Sequence, residues 1–163
     1  MKLIQFIFPL TLTLCGLMAG IHFANLMGYL PALGKVEAEH VAPFWKKADE
    51  YFVRRMPVFG ISLLFSLLLC IFLLRKEVDS AFFWLVASGF VLILIDLVIT
   101  IKINTPVNEI LRAWNGGPLP KNFEELRSQA LAAFYGRAAA SILSFLLMVV
   151  AYIAWHANFM RSS

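Results

Sequence analysis

The sequence predicts an all-α fold: a four-helix transmembrane bundle with a short surface helix in loop 1 and an extended fourth helix, built as one integral membrane domain over residues 1–163. Three observations carry this. Hydrophobic residues make up 61% of the 163 positions and charged residues only 15%, whereas soluble domains average roughly 45–50% and 25%. Four long runs are almost free of charge: 3–34, 56–74, 80–101 with Asp96 as its one exception, and 138–160. A spanning helix needs about 17–25 apolar residues, so each run is long enough. Inside lipid the backbone must bond to itself, which favours helices over open strands.

The spans are placed at about 3–27, 56–74, 80–101 and 137–158. The opening stretch MKLIQFIFPLTLTLCG has the lysine and apolar core of a signal peptide. Leu14 stands before Cys15 where a lipoprotein signal requires a small residue, and the apolar run outlasts a signal core of about 7–15 residues, so a retained first helix is expected. With four spans both termini share one side. Loop 1 (28–55) and loop 3 (102–136) share the other, here called the upper side. Lys2, Arg75, Lys76 and Arg161 mark the terminal side, while the long loops hold more Lys and Arg in total. Density near short connections puts the termini in the cytoplasm and total count puts them outside; the first criterion is adopted.

Each loop has a helical signature. In loop 1, Val41, Phe44, Ala48 and Phe52 share one face, with Lys47, Asp49, Glu50 and Arg54 turned away, which predicts a helix lying on the membrane surface. In loop 3, Gly116, Gly117, Pro118 and Pro120 break the chain. Asn122 and Glu125 then form a capping-box-like start that leads into the fourth span.

The net charge of +4 comes from loops and ends. It suits anionic lipid headgroups and not nucleic acid, because no basic stripe with interleaved aromatics is present. Membrane lipids are therefore the expected partners, beside an apolar small molecule, a second copy of the chain or a membrane partner protein. Cys15 and Cys70 lie inside apolar runs and form no Cys-x-x-Cys, which argues against a thiol–disulfide oxidoreductase. His22 and His156 fall at opposite ends of the bundle, so a bis-His haem does not fit, and no His-x-x-x-His or Glu-x-x-His motif points to a metal. No cofactor is expected.

Polar residues gather at the upper level of the spans. Asp96, Thr100, Asn104 and Asn108 recur every four residues, which is one helical stripe. Asp96 lies about 8 Å below the end of its run at 1.5 Å per residue. His22 and Asn25 sit near the upper end of the first span, and Tyr135 and Arg137 enter the fourth. An intramembrane acid is costly and usually faces the bundle interior, so Asp96 is either a working group or a structural partner of Arg137 or Lys102. His22 is either a base or a helix-to-helix hydrogen-bonding residue. Arg137 either joins this level or snorkels to the headgroups. Gly16, Gly20, Ala24 and Gly28 form a small-residue stripe for close helix packing. Pro106, which lacks an N–H, should stop the third helix, leaving Asn104 and Asn108 to bond the freed carbonyls or to line a pocket.

The stretch INTPVNEIL resembles the Asn-x-Pro-Leu-Asn-x-x-Leu signature of the anthrone oxygenase-like family of small four-helix membrane proteins. GLMAGIHFANLMGYLPAL resembles that family's first helix, and FYGRAAASILSFLL its last, entered through an arginine. The resemblance implies a bacterial plasma-membrane protein in which Asn25, Asn104, Pro106, Asn108 and Arg137 are the matching positions. Where the family often carries Asn or His ahead of the arginine, this chain has Phe134 and Tyr135. The implied activity is a cofactor-independent oxygenase acting on an apolar aromatic or polyketide-like substrate. A base, His22 or Asp96, would remove an acidic ring proton. Arg137, Asn104 and Asn108 would steady the enolate oxygen, with Asn25 and Tyr135 lining the substrate site. The alternative is a non-enzymatic accessory or interaction subunit of a membrane complex, or a small lipid- or quinone-binding protein. A pocket at the polar level would favour the first reading, and a packed junction with Asp96 bonded to Arg137 the second.

Overall fold

A computed structural model describes the backbone of residues 3–162 and the side chains of residues 3–156. The side chains of Lys2 and Arg161, and of the last residues assigned to the fourth span, lie outside the described residues. Four helices run up and down: α1 (Ile4–Leu33), α2 (Ala38–Leu73), α3 (Ala81–Ala113) and α4 (Phe123–Ser162). All four are long and apolar enough to cross a membrane. Each packs on its neighbour in the chain and α1 also packs on α4, which closes the ring. At the lower end, Ser80 caps α3 by accepting a hydrogen bond from the Phe83 N–H.

Two sequence expectations are corrected. The surface helix of loop 1 does not exist as a separate element. Its residues are helical but continuous with the second span, through Pro57, in one helix of 36 residues. The inward face is Val41, Ala42, Trp45 and Asp49, while Phe44 and Phe52 are exposed. Of the expected apolar face, Val41 turns inward, Ala48 is half-buried, and Phe44 and Phe52 face out. Pro106, in turn, does not end the third helix. A π-helical turn over Thr100–Asn104 widens the helix just ahead of the proline, and the chain continues as an α-helix from Thr105 to Ala113. The extra residue in the turn relieves the clash that a proline ring makes one turn back. The Thr105 hydroxyl also donates to the Thr100 carbonyl at 3.0 Å. α1 uses the same device, with a π turn over Asn25–Tyr29 just before Pro31.

Because no helix stops at the upper level, the bundle continues beyond the apolar runs and builds two cores. The lower one, within the spans, includes Phe8, Met18, Leu63, Leu67, Phe82, Val86, Ile93 and Met148. The upper one is Leu33, Val41, Ala42, Trp45, Val107, Leu111, Phe123 and Ala130. Arg127 fastens the 34–37 connection over this upper core, donating to the carbonyls of Val36 and Gly34, each at 2.9 Å.

The small-residue stripe of α1 is packed only in part. A Cβ built on Gly16 would lie 3.1 Å from the Phe145 ring of α4, whereas Gly20 and Gly28 have open space. Gly16→Leu is therefore expected to cost about 1–3 kcal/mol by overpacking. Gly20→Leu should leave the thermal midpoint of the detergent-solubilised protein unchanged. Equal effects at the two sites would show that α1 and α4 do not meet at Gly16.

Candidate functional site

Between the two cores lies a polar layer. His22 (α1), Asp96 and Asn104 (α3) and Arg137 and Ser141 (α4) meet there. Arg137 Nε donates to Asp96 Oδ1 at 2.6 Å, and the Ser141 hydroxyl donates to Asp96 Oδ2 at 2.9 Å. Arg137 Nη1 donates to Asn104 Oδ1 at 3.4 Å, and Asn104 Nδ2 donates to the Ala130 carbonyl at 3.4 Å. The guanidinium also sits over the Phe134 ring, 5.4 Å from its centroid. His22 Nε2 lies 3.4 Å from Asp96 Oδ2, close enough for an ion pair if protonated. It is not aligned for a hydrogen bond and stays buried without one.

The layer is closed. His22, Asp96 and Asn104 are 3%, 4% and 2% exposed, and Ser141 is fully buried. Two open cavities lie away from the layer. One, of about 240 Å³, opens at the lower end between Gln5, Pro9, Tyr152, Trp155 and His156. The other, of about 460 Å³, lies at the top beside Pro43, Lys46, Trp114 and Gly116. Among the described residues, no three His, Cys, Asp or Glu side chains gather as a metal site.

The sequence-derived site residues divide. His22, Asp96, Asn104 and Arg137 come together. Asn25 is half-buried at the start of the α1 π turn, and its side chain makes no hydrogen bond to a described residue. Tyr135 is 47% exposed and lies outside the layer. It is Phe134, one residue earlier, that faces Arg137.

Asn108 belongs to a second network one turn higher. It accepts from Trp45 Nε1 at 3.1 Å and donates to Asp49 Oδ1 at 2.7 Å. Arg112 Nε lies 2.8 Å from Asp49 Oδ2, within ion-pair range but off the line of a hydrogen bond. Asp49 is thus buried against α3, not turned to water as the loop 1 pattern implied. The two asparagines of the Asn-x-Pro-x-Asn motif therefore brace neighbouring helices: Asn104 reaches α4 and Asn108 reaches α2. Neither caps the carbonyls of its own helix. Sequence reasoning missed Ser141, Phe134, Trp45, Asp49 and Arg112. Ser141 carried a usable signal, since it lies four residues, about one turn, after Arg137.

No protein-family model, no curated protein and no solved structure matches this chain.

Proposed function

We propose that this chain is a non-enzymatic membrane protein, an accessory or interaction subunit of a membrane complex, whose polar layer locks the four helices in register. The observation that carries this reading is the closed contact of Arg137 with Asp96 and Ser141. The carboxylate is already paired, and the described cavities do not reach it. A buried ion pair of this kind fixes which helix faces meet, because any other register strands a charge in lipid. The likeness to the anthrone oxygenase-like family rests on the quoted motifs alone, and kinship with that family is part of this proposal.

A second reading has one observation in its favour. His22 Nε2 is buried and without a hydrogen bond, as a base awaiting a substrate proton would be. In that reading His22 removes the acidic ring proton of an anthrone-type substrate, and the resulting enolate reacts directly with O₂. Oxygen uptake separates the two. Purified protein given an anthrone is expected to consume oxygen at the protein-free rate. Acceleration that disappears in a folded His22→Ala variant would overturn the first reading in favour of the second.

A further inference from the structure

The outer face of α2 carries a built pattern that the polar layer does not use. Tyr51, Val58 and Phe65 recur every seven residues and are 52%, 68% and 67% exposed, so they form one continuous stripe. Phe65 and Val58 lie within or beside the uncharged run that begins at Met56, and Tyr51 lies just above it. Arg54 and Arg55 follow Tyr51 by three and four residues, on the same side of the helix. The Arg55 guanidinium is 5.3 Å from the Tyr51 centroid, and Lys47 Nζ is 5.9 Å from it.

The carboxylates nearby are already committed. Glu50 pairs with Lys47 at 2.7 Å, and Asp49 faces Arg112 on the inner side. Arg54 and Arg55 are both exposed, and neither pairs with a carboxylate among the described residues. Two guanidiniums without an ion pair among the described residues therefore stand at the border of a lipid-facing stripe, one of them held against a half-exposed tyrosine.

We propose that Arg54, Arg55 and Tyr51 form a headgroup site for an anionic phospholipid, with the acyl chains lying along Val58 and Phe65. The argument is charge complementarity together with continuity. A guanidinium pairs well with a phosphate, tyrosine is favoured at the headgroup level, and the apolar track begins directly below. This inference is independent of whether the polar layer is a lock or a catalytic site.

The test is a native mass-spectrometry titration with phosphatidylglycerol and phosphatidylcholine of identical chains. The wild-type protein should retain phosphatidylglycerol in preference. The Arg54→Gln/Arg55→Gln double variant should lose roughly 25-fold in that affinity, about fivefold per charge. Arg54→Lys/Arg55→Lys should recover part of it, which separates a charge effect from misfolding. Soluble glycerol 3-phosphate should not displace the lipid. Equal retention of the two lipids, an unaffected double variant, or displacement by glycerol 3-phosphate would each overturn the proposal.

Discussion

Replacing Arg137 by alanine is expected to destabilise the bundle by about 3–5 kcal/mol, the usual cost of stranding one member of a buried ion pair. Asp96 would keep Ser141 and the misaligned His22 contact, but would lose its shortest partner. The converse change, Asp96→Asn, should cost less. Arg137 retains 14% side-chain exposure, so its long stem can swing the freed guanidinium toward the upper headgroups. Asp96 has no such reach. Replacing both residues together, Asp96→Leu with Arg137→Met, should recover most of the loss, because the pair's net contribution is small once neither charge is stranded. Denaturant titration of the micelle-embedded protein compares all four proteins. If both single variants fall within about 0.5 kcal/mol of wild type, the range of ordinary surface changes, the layer does not hold the helices.

The polar layer was legible because each of its charged members is out of place in lipid. Asp96 interrupts an apolar run, and its period-four partner Asn104 lies on the same face. What the sequence withheld was helix rotation. Phe134 stands three residues before Arg137 and Tyr135 only two, so Phe134 shares the arginine's face, but how that face turns toward the other helices is not fixed by local spacing. The same ambiguity explains loop 1. The pattern groups Val41 with Phe44, Ala48 and Phe52, but the helix turns so that Val41 faces inward with Ala42 and Trp45 while Phe44 and Phe52 face out. This rotation wins because Asn108 and Arg112 of α3 offer Asp49 partners that water would otherwise supply. Proline was misread for a related reason. Its missing N–H disrupts one turn, but packing on both sides makes a π turn cheaper than ending the helix. With the helix continuing, the upper core of Val107 and Leu111 becomes possible.

That upper core differs physically from the lower one, and Trp45→Ala is the change that tests the difference. Between lipid-solvated helices the hydrophobic effect gives little drive, so the Phe8–Met148 layer depends on packing. The upper layer rises beyond the uncharged runs toward water, where burying an indole counts in full. Trp45 is 3% exposed, its ring packs 6.3 Å from Phe134, and its Nε1 donates to Asn108. Truncation should cost about 3–5 kcal/mol, the range for large aromatic deletions. The half-buried Asn108 carbonyl oxygen would also lose its Trp45 donor. Trp45→Phe keeps most of the packing and removes only the hydrogen bond, so about 1–1.5 kcal/mol is expected. The loss should be local. The polar layer separates the two cores, so the upper turns can open while the spans stay assembled. Limited proteolysis should then cut Trp45→Ala rapidly within 34–55 and 105–122, while the 56–101 segment stays protected in the micelle. Cleavage no faster than in wild type would mean that Trp45 does not hold the upper core. Cleavage accompanied by loss of the spans would mean that the two layers fold as one unit, with the Asp96–Arg137 pair coupling them instead of dividing them.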